Sequence, residues 1–60
     1  MKINRLDRNG HTTIVDNIEA EFAQLMKDGY AMFLDDVQIK ALPTNRPDAE
    51  ILALAPLVGG

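Results

Sequence analysis

Hydrophobic and polar positions follow two different periods along the chain. Two short segments are predicted to be strands: residues 1–6 contain Ile3 and Leu6, and residues 11–15 carry four β-branched residues in succession. Further on, apolar residues recur at the spacing of one helix face, i, i+4, i+7 and i+8. These residues are Ile18, Phe22, Leu25 and Met26. The pattern predicts two strands followed by an amphipathic helix.

A turn over residues 7–10 separates the first two strands, because Asn9-Gly10 is a strong hairpin signal. A four-residue loop would place Ile3 opposite Ile14. A tighter turn centred on Asn-Gly would place Arg5 opposite Ile14 instead. We favour the first register, because it puts both isoleucines on one face of the hairpin.

The helix has sequence signals at both of its ends. Asp16 is the predicted N-cap, with Glu19 three residues later as in a capping box. Gly29 is the expected left-handed residue after the last turn. These signals predict a helix that starts after Asp16 and ends before Gly29.

The second half of the chain predicts three more strands. Residues 30–34 form an apolar run, Asp35-Asp36 a turn, and residues 37–39 a short return strand. Residues 40–50 contain two prolines and read as a surface loop, with Leu42 as its anchor in the core. The last strand, residues 51–55, is apolar at successive positions, which indicates a central or doubly covered strand.

The predicted element order is therefore β-β-α-β-β-loop-β, with one helix available to cover one face of a mixed sheet. If the first and last strands pair in parallel at the centre, this is the α+β architecture called β-grasp, or ubiquitin-like, with four to five strands. Sixty residues allow one domain, so we expect a single domain over residues 1–60, with 57–60 as an extended C-terminal tail. A helix-on-hairpin unit completed only in a dimer is the alternative.

Composition narrows the possible functions. Cysteine is absent, which excludes disulfides and thiolate ligands, and the net charge of −3 argues against nucleic acid or an anionic membrane as a partner. No stretch resembles a signal peptide or reaches the length of a membrane helix, so we expect a cytoplasmic protein.

Few side chains offer catalytic chemistry. His11 is the only imidazole and follows the first turn, where a solvated position is expected. Asp35-Asp36 is more typical of a solvated turn than of a cation site, which needs more oxygen ligands. We expect Tyr30 and Phe33 to pack in the core. The sequence thus predicts neither an enzyme nor a metal site.

The pair Gly59-Gly60 is the exception. Glycine has no Cβ, so such a segment can lie extended in a narrow channel of a partner. The four residues from Leu57 onward reach roughly 13–14 Å when extended. A carboxylate carried on Gly60 could thus enter another protein's active site and be activated there. A flexible end, or an end set by an experimenter, is the alternative.

The last thirteen residues, DAEILALAPLVGG, resemble the C-terminus of the β-grasp sulfur carriers. This family includes the small subunit of molybdopterin synthase and the sulfur carrier of thiamine biosynthesis. The shared pattern is an acidic turn, an apolar strand, often a proline, and a terminal Gly-Gly. Residues 33–39, FLDDVQI, are similar to the family's mid-domain hairpin. Two turns depart from the family's pattern. Pro47-Asp48-Ala49 replaces the usual Gly-Asp turn before the last strand, and Asp35-Asp36 stands where the family often has Asn-Gly.

The resemblance implies a carrier rather than an enzyme. Gly60 would be adenylated by an E1-like activating enzyme, which uses ATP, and converted to a thiocarboxylate that passes sulfur to an acceptor enzyme. Leu57, Val58 and Gly59 would thread the partner's channel. The carrier would bind no cofactor of its own.

The resemblance also implies a docking surface on the sheet, around Phe33 and Ile39. Two other functions share the architecture. A ubiquitin-like modifier would be conjugated to proteins through Gly60, and a structural β-grasp domain, as in phage tail assembly, would use no terminal chemistry.

Overall fold

The computed structural model describes residues 1–56. It contains one α-helix and five β-strands, joined by short turns and one longer loop. The elements are β1 (Lys2–Asp7), β2 (Gly10–Ile14), α1 (Ile18–Lys27), β3 (Ala31–Leu34), β4 (Val37–Ile39) and β5 (Glu50–Leu54).

The five strands form one mixed sheet in the order β2-β1-β5-β3-β4. β1 and β5 pair in parallel at the centre, with Ile3 beside Ile51. The other neighbours, β1–β2, β3–β4 and β3–β5, are antiparallel. With α1 against one face, this is the predicted α+β, β-grasp arrangement. β5 is thus a central strand, which is one of the two arrangements that its consecutive apolar residues predicted.

The first hairpin has the favoured register, with Ile3 opposite Ile14. Arg8 and Asn9 are the two central turn residues, so the alternative turn centred on Asn9-Gly10 is not formed. The Asp7 carboxylate accepts a hydrogen bond from the Asn9 N–H at 2.8 Å, which stabilises the turn. Gly10 follows with φ 112°, a conformation that favours glycine.

The helix start differs from the prediction. The residue before α1 is Asn17, which has the left-handed conformation (φ 54°, ψ 40°) and makes no side-chain cap hydrogen bond. Asp16 is therefore not the N-cap, and the capping box with Glu19 is not formed. Asparagine tolerates the left-handed region better than most residues, and one such residue reverses the chain between β2 and α1. The reversal places Asp16 outside the helix.

The helix end follows the prediction. Gly29 has φ 92°, and its N–H donates to the Met26 carbonyl at 3.1 Å. The Tyr30 N–H donates to the Leu25 carbonyl at 3.0 Å. These two bonds form a Schellman motif, which satisfies two of the helix's last carbonyls.

The core lies between α1 and one face of the sheet. Ile3, Met32 and Ile51 are fully buried on that face. From the helix, Phe22 and Leu25 complete the core, and Ile18 and Met26 pack against it, so the predicted helix face is confirmed. The loop over residues 40–49 contributes Leu42, which packs against the core as predicted, and buried Ala49.

The second hairpin has the Asp35-Asp36 turn that was predicted. Leu34 is opposite Val37, and the two aspartates between them have φ 51° and 67°. Positive φ at both central residues is the geometry of a type I′ hairpin turn. Asp35 also forms an ion pair with Arg46 at 3.1 Å, which links the turn to the loop before β5.

Candidate functional site

The predicted tail, Leu57, Val58, Gly59 and Gly60, lies outside the described residues. The described residues end at Pro56, two residues after β5, the central strand. The surroundings consist of the uncovered sheet face and a groove at its rim.

The end of β5 is held on both sides. Beyond the strand, the Ala55 N–H donates to the Leu6 carbonyl at 2.9 Å, which continues the pairing with β1 by one residue. Pro56 lies beside the helix end, because a Cβ built on Gly29 would be 3.7 Å from two Pro56 ring carbons. Pro56 also fixes its own φ. The sheet thus holds Ala55, and Pro56, which is exposed, lies beside the helix cap.

The face of the sheet opposite α1 is apolar near this end. Side chains alternate between faces along a strand, and paired residues of neighbouring strands share a face. Leu6 pairs with Leu54, Leu54 with Ala31, and Leu52 with Phe33. We call these five residues the open face. The part of the chain that the structure describes provides no second layer there, and Leu6 and Leu54 keep 38% and 37% of their surface exposed.

A groove runs from the open face to the helix end. It is lined by apolar residues of the open face, by the Gly29-Tyr30 cap, and by Ala55 and Pro56. Its charged lining residues are Asp7, Arg8 and Asp28. Pro56, the last described residue, therefore forms part of the wall of a largely apolar groove.

The charges around this end of the sheet are partly neutralised within the fold. The Asp7 carboxylate lies 3.5 Å from Arg5 Nε, an enclosed atom that has no hydrogen-bond partner within residues 1–56. The Asp28 carboxylate accepts a hydrogen bond from Gln24 at 3.1 Å. Arg8 forms no ion pair within the described chain and is exposed, so it adds a positive charge to the groove.

The two predicted docking residues do not share a face. Phe33 pairs with Gln38 and belongs to the open face, whereas Ile39 pairs with Met32 and packs against the core. The expectation of one surface around both is therefore corrected. The expectation that Phe33 packs in the core is corrected too. Phe33 is half-buried and lies where a partner could reach it, and docking there stays a prediction.

The other candidates are placed as solvated or structural residues. His11 is exposed, as predicted. Tyr30 packs against the core, and Asp35 pairs with Arg46. Within residues 1–56, no three His, Asp or Glu side chains come together as metal ligands would. The same residues contain no helix with the length and apolar character needed to cross a membrane.

Sequence reasoning did not identify the leucines of the open face. A signal for them was available, because once Ile3 faces the core, Leu6 must face the other way. Leu52 and Leu54 lie in a run of apolar residues, so the sequence shows no alternation between the two faces of the strand there. Only the register of β5 against β1 and β3 shows which face these leucines occupy.

Comparisons with known proteins add no relatives. No protein-family model, curated protein or solved structure matches this chain. The function of the chain is therefore inferred from its geometry and from the resemblance of its last thirteen residues.

Proposed function

We propose that this chain is a sulfur-carrier protein, whose Gly60 carboxylate is activated by a partner enzyme and converted to a thiocarboxylate. The carrier itself is not an enzyme and works in the cytoplasm. Its partners are an E1-like adenylating enzyme, which uses ATP, and a sulfur-acceptor enzyme. The proposal requires that Gly60 carries the free carboxylate.

One observation carries the proposal: the central strand is hydrogen-bonded up to Ala55 and ends beside an apolar groove. A carrier needs a rigid body that presents a short segment from a fixed point. Here the bond from Ala55 to Leu6 fixes the end of the strand, Pro56 lies beside the helix cap, and residues 57–60 follow with two glycines. Four extended residues reach roughly 13–14 Å, sufficient to bring Gly60 to a catalytic centre inside a partner.

The proposed chemistry is an acyl activation. The Gly60 carboxylate attacks the α-phosphate of ATP and displaces pyrophosphate, which gives an acyl-adenylate. A persulfide of a partner protein attacks the acyl carbon and displaces AMP. A thiol reductant then cleaves the sulfur–sulfur bond and leaves the thiocarboxylate. Transfer of the sulfur to an acceptor, with water supplying the oxygen, restores the carboxylate.

The open face is the proposed docking surface for these partners. Phe33, Leu6 and Leu54 border the groove from which the tail leaves. A partner that covers them would remove apolar surface from water and hold Pro56 at the entrance of its channel. Docking and tail insertion would then act together.

A ubiquitin-like modifier is the second candidate, because it needs the same anchored strand end and the same activation. It would end as an amide on a target lysine. The products separate the two functions: a sulfurated metabolite indicates the carrier, and a ladder of larger conjugates indicates the modifier.

Deletion of Gly60 tests both candidates. Wild-type protein, incubated with ATP in host extract, is expected to form AMP and an activated or sulfurated product. The deletion variant should form neither, although its melting temperature is unchanged. Gly60→Ala retains the carboxylate but adds a Cβ, so a narrow channel should slow its activation. If wild type and the deletion variant form the same amounts of AMP and product, Gly60 is not the reacting residue and a structural role is favoured.

A further inference from the structure

The two edges of the sheet differ in how well they are protected against pairing with another strand. Natural edge strands are usually short or interrupted by charge or proline. β4, at one edge, has three residues and lies between Asp36 and Lys40. β2, at the other edge, has five residues, GHTTI, with no Lys, Arg, Asp, Glu or Pro. Gly10 to Thr13 are exposed.

The backbone of β2 presents a defined set of free groups at this edge. Asp7 and Gly10 flank the two-residue turn, so they form a hydrogen-bonded pair, and such pairs alternate along an antiparallel ladder. Thr12 and Ile14 therefore direct their N–H and C=O groups toward β1. His11 and Thr13 direct theirs outward.

We propose that β2 pairs with β2 of a second copy of this chain, antiparallel and centred on Thr12. In that register, His11 of one copy lies opposite Thr13 of the other. Both residues present outward N–H and C=O groups, so each of the two symmetric pairs can exchange both of its backbone hydrogen bonds. The result is a ten-stranded sheet that continues across a two-fold axis.

Charge selects this register among the symmetric alternatives. Arg8 lies in the turn before β2, and Asp16 follows the strand, so centring on Thr12 brings the Arg8 turn of each copy to the end of the other β2 that carries Asp16. Both residues are exposed, and within residues 1–56 neither forms an ion pair. Centring on His11 or on Thr13 would shift the two strands by two residues and offset Arg8 from Asp16. Opposite charges across strands are stabilising, and like charges are destabilising.

The inference does not depend on the proposed function. The β2 edge lies two strands away from β5, so residues 57–60 are not needed for pairing. The dimer can therefore be tested in the Gly60-deletion variant as well as in the wild-type chain. Loss of activation with intact dimerisation would separate the two proposals.

A charge swap tests the dimer. Sedimentation velocity from micromolar to millimolar concentration should show a reversible dimer for the wild-type chain. Arg8→Asp should weaken dimerisation about tenfold, because each dimer would contain two like-charge contacts. Asp16→Arg should weaken it similarly, and the double variant should restore it. Lys40→Asp, which makes the same charge change beside β4, is the matched control and should stay near wild type.

Amide hydrogen exchange provides the second readout. The His11 and Thr13 amides should exchange more slowly as the protein concentration rises, whereas the β4 edge should not change. A chain that stays monomeric at millimolar concentration would overturn the proposal. A dimer that the double charge swap does not restore would overturn it too, as would a dimer without protection at β2. Melting temperatures close to wild type would show that the variants are folded.

Discussion

Both faces of the sheet carry apolar side chains, but within residues 1–56 only one face is covered. On the covered face, Ile3, Met32 and Ile51 have no exposed surface. On the open face, Leu6 and Leu54 remain more than one-third exposed. A small domain with one helix can cover only one face, so the core that stabilises the fold lies on one side of the strands and the proposed docking surface on the other. Apolar side chains on the open face contribute less to folding and remain accessible for binding.

The two phenylalanines test this division most strongly, because each lies on one side. Phe22 is 6% exposed in the core, and Phe22→Ala should lower the free energy of unfolding by ~3–5 kcal/mol. Phe33 is half-buried on the open face, and Phe33→Ala should lower it by only about 1–1.5 kcal/mol.

Chemical denaturation measures both values, and the activation assay separates their causes. Phe33→Ala should remain folded but be activated more slowly by the partner enzyme. Equal losses of stability for the two variants would contradict the division between the faces, as would unchanged activation of Phe33→Ala.

Gly29 lies in the cap of the helix that covers the core, and it also lies beside Pro56. Its substitution therefore gives a further test of the comparison between the two faces. Gly29→Ala should lower the free energy of unfolding by about 1–2 kcal/mol, because φ 92° is unfavourable for a residue with a Cβ. The added Cβ meets Pro56 at an ordinary contact distance, so strain rather than a clash is responsible. Gly29→Asn, which tolerates positive φ better, should recover part of the loss. An unchanged melting temperature for Gly29→Ala would contradict this account.

The Asp35-Asp36 turn belongs to neither face of the sheet. Substitutions in it should change the free energy of unfolding less than the substitutions above. Asp36 has φ 67° at the second central position of its turn, where glycine is preferred. Asp36→Gly should therefore raise the free energy of unfolding by about 0.5–1 kcal/mol, whereas Asp36→Ala should lower it by a similar amount. Thermal unfolding of wild type, Asp36→Gly and Asp36→Ala gives the order of their stabilities. If Asp36→Gly is less stable than wild type, the interactions of the Asp36 side chain stabilise the fold by more than the positive φ of this residue destabilises it.

Most of the fold followed from local patterns in the sequence. The helix face of Phe22 and Leu25 repeats at the helical period, and Gly29 marks the helix end. The Ile3–Ile14 register followed because a turn within residues 7–10 makes the two isoleucines a direct cross-strand pair, whereas a turn centred on Asn9-Gly10 would pair Ile14 with Arg5. The predicted helix start was wrong, because Asn17 and not Asp16 directly precedes the first helical residue. The sequence pattern alone does not show which residue adopts the left-handed conformation that reverses the chain.

The open face was less predictable than the fold, because it depends on pairing between strands that are distant in sequence. Phe33 and Ile39 were grouped together although a two-residue turn at Asp35-Asp36 places them on opposite faces. For β5, consecutive apolar residues fit either face equally well. Only its pairing with β1 and β3 shows that Leu52 and Leu54 face away from the helix.

The most direct test of the central claim is the intact mass of the protein purified from its native host, without reducing or alkylating treatment. The account predicts a species in which sulfur replaces one carboxyl oxygen, with the change located at Gly60 by fragmentation. Because thiocarboxylates hydrolyse, the measurement is repeated after incubation with ATP and fresh host extract. A plain carboxylate under both conditions, or a chain that continues beyond Gly60, would contradict the carrier function.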